Sequence, residues 1–547
     1  MIFIEVKNNA GFKWYVNQNI LAKGFLFDEE GNFYRNDEIS SFFKDVGSFE
    51  DFKHKLQVAN GSFAVIIKNG GQIYAAVDTL RSIPLFYIKH NGTFFISDDA
   101  WHIIRKVNLR ELDDIGVSEF LLSGYTIGNY TLFEDLQQIQ AGQYLYYNDE
   151  TKELKLDFYY KHLHADYLVL DNSRYFERLD SIYKNVFSRL IESVEGRTIV
   201  IPLSGGYDSR SIAAMLKSLS YENVICYTYG RPESFEVQTS ERVAKKLGYK
   251  WYFVNYAEKM EWFKLVRDEN YLFFASNAAS LPHIQEYIAV SSLKNKLLVP
   301  EDAIFVPGFC GDLLGGSYVP HEIISGRVQL LFKEGIEDYI FHRYFNLDNK
   351  ISFEHIPIIK KRISEELFKL GSDGIKNISD FDSAAEAFFT NHKVAKFVVN
   401  ALRPYEYFGY EWRMPLWDKE LIEFWYHVPI DKRIGKNKLY DEYLFNRLFE
   451  PFNIGFMKKP KLLNNVLNLY GGSILGKQLV RIAIEIYKFI KKKSRGDFNA
   501  FSNLYMICSN ELSKKVRSLP SPQNINSIFA LWFLLIFLKN HLNKKMA

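Results

Sequence analysis

The most constraining feature of the chain is a single junction. Ile199-Val200-Ile201-Pro202-Leu203 runs directly into Ser204-Gly205-Gly206-Tyr207-Asp208-Ser209-Arg210, and Ile212, Met215, Leu216 and Leu219 come next. The apolar run predicts a buried strand, and the spacing of the four later residues predicts one apolar face of a helix. Between them, Gly205 and Gly206 let backbone N–H groups approach an anion without side-chain obstruction. The helix N-terminus behind them adds positive partial charge. Phosphate is the expected guest. Ser204 and Ser209 can add hydroxyl donors, whereas Asp208 would repel phosphate directly and makes sense as a magnesium ligand. Arg210 is left open between a phosphate contact and a surface or ion-pair role.

The junction sits in a stretch of alternating texture. A helical pattern over Arg174–Val194 precedes the strand Thr198–Leu203, and a helix over Ser209–Leu219 precedes the strand Val224–Tyr229. Strand, helix and strand in that order predict a parallel sheet covered by helices. Before residue 160 the pattern differs: Gly61–Ile67, Gln72–Val77, Pro84–Ile88, Thr93–Ser97 and Gln143–Tyr147 read as short strands between turns. The expectation is α/β overall, with a β-rich domain at 1–165, a parallel-sheet domain at 170–465 and a helical extension at 466–547. A chain of 547 residues has room for these three parts.

Composition narrows the functional classes. With 68 basic and 65 acidic residues, the net charge of +3 points to neither nucleic acid nor membrane. Three cysteines, at 226, 310 and 508, with no Cys-x-x-Cys spacing, exclude a disulfide scaffold and a four-thiolate zinc site. A cytoplasmic setting is expected. Glu5 and Lys7 in the opening residues argue against a signal peptide. The apolar run Ile528–Leu538 falls well short of the roughly 20 residues that span a bilayer and reads as a buried helix. The basic stretch Lys477–Arg495 reads as the solvated face of a packed helix, with a membrane surface or nucleic acid as the other use. Gly471–Gln478 imitates a P-loop but ends in Gln478, where a Ser or Thr would hold magnesium.

From about residue 60 to about 465 the chain resembles the asparagine synthetase family, including its β-lactam synthetase branch. Gly61-Ser62-Phe63-Ala64-Val65, Ile83-Pro84-Leu85-Phe86-Tyr87 and Glu119–Tyr125 look like the family's amidotransferase-type domain. Ser204–Ser209 is the pyrophosphate loop, and Glu236 looks like the acidic position after the second strand. Pro307-Gly308-Phe309-Cys310-Gly311-Asp312-Leu313-Leu314 is similar to the second phosphate-side loop, where Asp312 would share magnesium with Asp208. Glu411-Trp412-Arg413-Met414-Pro415-Leu416-Trp417-Asp418 matches the family's Glu-x-Arg-x-Pro pattern. Lys459-Pro460-Lys461-Leu462 resembles the late loop with a catalytic lysine.

The resemblance implies an Ntn-hydrolase-like α+β sandwich followed by a HUP-like ATP pyrophosphatase domain. It implies a carbon–nitrogen ligase using ATP and Mg2+: a carboxylate attacks the α-phosphorus, AMP is captured as an acyl-adenylate, and ammonia or an amine then forms the amide. Ser204, Gly205, Gly206, Asp208, Ser209, Gly308 and Gly311 would hold the nucleotide. Lys461, with Lys459 as fallback, would stabilise the adenylate. Glu411 would orient or deprotonate the amine, or else form a buried ion pair with Arg413 or Arg403.

Two departures shape the expectation. Glutamine-using members begin their mature chain with a cysteine, whereas here Ile2 follows Met1 and no cysteine precedes Cys226. The first domain is therefore expected to be degenerate, with ammonia or an amine supplied from elsewhere, including by a partner protein. Phe309 and Leu313 replace the family's acidic pair beside Asp312, which points away from aspartate as substrate. An inactive scaffold, a PP-loop RNA-modifying enzyme and a glutamine-hydrolysing asparagine synthase are the rival readings. A homodimer is left open, and no nucleic acid and no membrane span are expected.

Overall fold

In the β-rich first part, side-chain alternation decides the layers. Its strands are β1 (Ile2–Ile4), β2 (Tyr15–Asn17), β3 (Ile20–Phe27), β4 (Phe33–Arg35), β5 (Asn60–Asn69), β6 (Gln72–Val77), β7 (Phe86–His90), β8 (Thr93–Ser97), β9 (Gln137–Gln138), β10 (Gln143–Asn148) and β11 (Leu154–Phe158). The larger sheet runs β11-β10-β6-β5-β3-β2 with β4 on β3, and the smaller runs β1-β8-β7-β9. On β5, Phe63, Val65 and Ile67 pack with Phe42 of α1 (Glu38–Phe42) and with Phe52 and Leu56 of α2 (Phe49–Val58). Ala64 and Ile66 face the opposite way into the main core. There the sheets meet, with Phe94 of β8 stacked on Tyr147 of β10 at 4.1 Å. Phe95, on the outer face of the smaller sheet, stacks on Phe3, over which lies Lys106 of α3 (Ala100–Val107). The order is helix, sheet, sheet, helix.

This computed structural model describes residues 1–347, 354–372, 374–434, 438–456, 497, 499–516, 519, 524–539 and 542. It is a mixed α/β fold with several sheets. After helix α4 (Asp114–Ser123), the long helix α5 (Asn172–Val194) leads into a parallel sheet of β12 (Ile199–Pro202), β13 (Val224–Gly230), β14 (Lys250–Asn255), β15 (Ile304–Phe305) and β16 (Glu411–Trp412). Ile199, Val200 and Ile201 have no exposed surface, because both faces of β12 are covered. That double burial is why the strand is continuously apolar, and each such side chain contributes roughly 2 kcal/mol.

The strand order β14-β13-β12-β15-β16 fixes where a ligand can enter. The chain leaves β12 through α6 (Asp208–Ser218) toward β13, then through α7 (Phe235–Leu247) to β14. It then returns past β12 to β15 on the other side. Connections that diverge from β12 and β15 open a crevice at their carboxyl ends.

The C-terminal helices rejoin the body. Helix Ile525–Trp532 continues as a π-helical segment to Leu538, and Phe533 meets Phe120 of α4 at 5.8 Å while Phe537 meets Phe273 at 4.7 Å. The apolar run is thus buried between the two larger parts. Among the described residues no helix is long and apolar enough to cross a membrane. The basic stretch Lys477–Arg495 and the P-loop imitation Gly471–Gln478 lie outside the described residues. The first and second parts are tied by buried donors: Lys396 donates to the carbonyls of Thr126 and Gly128 at 2.6 and 2.7 Å.

Candidate active site

The helix that follows β12 starts with its donors open. Helices α5 and α7 are capped by the side chains of Asp171 and Ser234, but α6 begins at Asp208 with Tyr207 in the cap position and no side-chain cap. The N–H groups of its first turn are therefore left for a ligand. Within the loop, the Ser204 N–H donates to Ser209 Oγ at 3.0 Å and the Gly206 N–H to Ser204 Oγ at 3.1 Å. Arg210 is wholly buried, which removes the surface role, and among the described residues it forms no ion pair. It donates to the carbonyls of Gly205 and Ile454, each at 2.9 Å, and lies over the rings of Tyr207 and Phe449. It braces the loop from behind. Because a trans peptide points its C=O and N–H in opposite directions, holding Gly205 O rearward turns the Gly206 N–H to the other side.

The loop after β15 is pressed against the first. A Cβ at Gly308 would lie 2.6 Å from Ser209 N, and one at Gly311 would lie 2.2 Å from Asp208 Cγ. Glycine is demanded at both positions by the approach of the two loops. Cys310 between them adopts a left-handed conformation, φ 73°, which costs a non-glycine residue about 1–2 kcal/mol. This bend sets Asp312 beside Asp208.

Both aspartates line one cleft at the carboxyl ends of the sheet. One lobe, of about 400 Å³, includes Gly205, Gly206, Asp208, Asp312, Lys438 and Tyr440. The other, of about 340 Å³, includes Ser204, Ser209, Asp208, Gly308 and Asp312 with Tyr229, Glu236 and Glu286. Burial first, and then the charge of Asp312, push the Asp208 carboxyl up to about 7, against the opposing hydrogen bond donated by Tyr440 Oη to Oδ1 at 2.9 Å. Two carboxylates that repel each other across a polar cleft fit a hard divalent cation.

Lys438 and Tyr440 carry no sequence motif and lie some 230 residues beyond the Ser204–Ser209 loop. Lys438 donates to Gly315 O at 3.0 Å at the rim of the larger lobe. Glu236 begins the first turn of α7 and lines the second lobe, as does Phe309. Cys310 is buried, and burial pushes its thiol up, so it is no ready nucleophile.

Glu411 is not brought to the cleft. It opens β16 beside Ile304, which in turn pairs with Ile199 at the amino end of β12. Ser204 lies five residues further along the strand direction, roughly 15 Å away at strand rise. Glu411 pairs instead with Arg197 at 3.2 Å and Arg413 at 3.0 Å, so the ion-pair alternative is the one seen. Arg403 pairs with Glu406. Lys459 and Lys461 lie outside the described residues.

A second cluster of ionisable side chains, His164, Asp382 and Glu386, is buried and lines neither lobe of the cleft. Arg433 pairs with both carboxylates and supplies their counter-charge. Its backbone carbonyl lies 2.4 Å from where a Cβ would stand on Gly316, just after the Asp312 loop.

Residues 185–279 match the family model for asparagine synthase, a stretch that holds Ser204–Ser209 and Glu236 and ends before Asp312. No match to a curated protein is found. Among solved structures, an NH3-dependent NAD synthetase from Campylobacter jejuni in complex with nitrate is similar at 15% identity, over 38% of this chain and 99% of that one, with a TM-score of 0.19. A glutamine-dependent NAD+ synthetase from Acinetobacter baumannii in complex with ADP shows 12% identity over 66% of this chain and 81% of that one, with a TM-score of 0.19. A glutamine phosphoribosylpyrophosphate amidotransferase from B. subtilis shows 11% identity over 54% and 63%, also at 0.19. At such scores these likenesses say nothing about the chemistry of the cleft.

Proposed function

We propose, on the premise that this chain is an asparagine synthetase-family protein, that it is an ATP-dependent amide-forming synthetase. It activates a carboxylate as an acyl-adenylate, releases AMP and pyrophosphate, and passes the acyl group to ammonia or an amine. The observation that carries this reading is the pair of interlocked loops that places Asp208 and Asp312 on one cleft beside uncapped helix donors.

In this reading Asp208 and Asp312 would hold Mg2+, which supplies charge neutralisation at the β and γ phosphates when bound. The Gly205 and Gly206 amides, the Ser204 and Ser209 hydroxyls and the first turn of α6 receive pyrophosphate as it leaves. Lys438 adds a positive charge on the same rim. Lys461, with Lys459 as fallback, is kept as the group that stabilises the adenylate. Glu411 drops out of the mechanism because of its position.

Residues 1–165 are read as an amidotransferase-like domain without glutaminase chemistry. Its four-layer order supports the first half of that statement. For the second, Cys226, Cys310 and Cys508 are all buried, and burial pushes each thiol up, so none offers a thiolate to a glutamine amide.

The test is exchange of labelled pyrophosphate into ATP, screened against a panel of carboxylic acids with Mg2+. Acid-dependent exchange is expected. No exchange with any acid would remove the reading and leave the scaffold alternative.

A further inference from the structure

Amide formation needs a group to take the proton that the incoming nitrogen loses, and with Glu411 placed elsewhere that acceptor must be found in the cleft. Among the described residues, five carboxylates line its two lobes: Asp208, Asp312, Glu236, Glu286 and Asp441. The first two face each other as the cation pair. Asp441 lies in the larger lobe with Lys438, on the phosphate side. Glu236 lines the smaller lobe against the Ser204–Ser209 loop, its Cα 3.3 Å from where a Cβ would stand on Gly205, on the side where the leaving phosphates are received. Glu286 is different in kind.

The Glu286 side chain is 6% exposed and is bonded at both oxygens. Oε1 accepts from Tyr229 Oη at 2.8 Å, and Tyr229 Oη accepts in turn from Gln285 Nε2 at 2.8 Å. Oε2 is hydrogen-bonded to Nε2 of His283, whose ring is half-buried. The carboxylate is thus held in one orientation at the wall of the smaller lobe, with an imidazole leading from it toward solvent. A fixed carboxylate backed by an imidazole is the arrangement expected of a proton acceptor with an exit. Tyr229 stands at the carboxyl end of β13, and His283 and Glu286 lie outside the sheet, so the cluster sits where the cleft opens.

We infer that Glu286 accepts the proton of the nitrogen nucleophile and that His283 relays it outward, an inference that rests on the synthetase reading above. In the step, the lone pair of the amine nitrogen forms the new C–N bond. The acyl C–O bond to AMP breaks, with its electron pair leaving on AMP, and one N–H proton passes to Glu286. Tyr229 and Gln285 are positioning residues for that carboxylate.

The experiment separates the two half-reactions in the full chain, using Mg2+, ATP, ammonium chloride and a panel of amino acids and uronic acids. Pyrophosphate exchange reads adenylation, and ammonia-dependent AMP release reads the whole reaction. Glu286→Gln, which keeps shape and hydrogen bonding, is expected to hold exchange within about threefold while ammonia-dependent AMP release falls by about 100-fold or more at pH 7. That release should recover as pH is raised, because hydroxide can then take the proton and more of the ammonium is present as free base. His283→Gln should give a smaller loss with the same pH recovery. Equal loss of exchange and AMP release in Glu286→Gln would assign the residue to nucleotide or acid binding and overturn the inference, as would an unaltered AMP release. A wild-type chain with no exchange for any acid would overturn the synthetase reading itself.

Discussion

Asp208→Asn offers a quantitative test, because the carboxylate that the proposed chemistry needs is a burden on the fold without a cation. Its pKa is raised from 3.8 to about 7 by burial and by Asp312. The folded protein therefore holds this proton more tightly than the unfolded chain does. The stability associated with the neutral form is complete below pH 3.8 and is lost as pH rises toward 7. At 1.36 kcal/mol per unit, the ionised carboxylate costs at most about 4 kcal/mol above pH 7, and about 1.5 kcal/mol at pH 5. This is an upper bound because Asp208 borders an open cleft. Asparagine carries no charge and can still accept from Tyr440. In EDTA, the variant should therefore exceed wild type in urea midpoint, with a gap that widens by about 2 to 3 kcal/mol between pH 5 and pH 8. Adding Mg2+ should raise the wild-type midpoint and leave the variant where it was. A gap that stays flat or narrows with pH would show that Asp208 is not held against a neighbouring charge in a low-dielectric site, and the paired-carboxylate account would fall with it.

Other outcomes rest on particular contacts. Gly311→Ala puts a methyl group 2.2 Å from Asp208 Cγ, so pyrophosphate exchange should drop at least 100-fold while the far-ultraviolet circular dichroism stays unchanged. Lys438→Met should lower exchange by about tenfold or more and raise the KM for ATP, read from initial rates across ATP concentrations. Glu411→Gln should leave exchange within about threefold but lower the urea midpoint by an amount corresponding to about 2 kcal/mol, because it leaves buried Arg413 short of its carboxylate. Arg210→Met deprives the carbonyls of Gly205 and Ile454 of their donor and should weaken exchange well beyond its effect on secondary structure, measured by the same two assays.

Much of the framework was legible along the chain. The strands Gln72–Val77 and Thr93–Ser97 fall on β6 and β8, and the run Thr198–Leu203 encloses β12, because alternation and continuous apolarity report directly on whether one face or both are buried. The Ser204–Ser209 loop could be read for the same local reason: strand, glycines and helix start are contiguous, so one short stretch contains its own geometry. The two-residue strands β15 and β16 could not be read, since each is defined only by the neighbour it pairs with.

The sequence by itself determined which residues are candidates to grip a phosphate and which aspartates are candidates to accompany it, because those capacities belong to residue type and to the turn that presents them. Only the tertiary structure decided which of the candidates meet. It brought Asp312, Lys438, Tyr440 and Glu286 to one cleft from segments about 80 to 230 residues away, set Arg210 behind the loop, and carried Glu411 to the far end of the sheet. Those placements depend on strand order and on two glycines that let the loops touch, and neither is a property of any local stretch of chain.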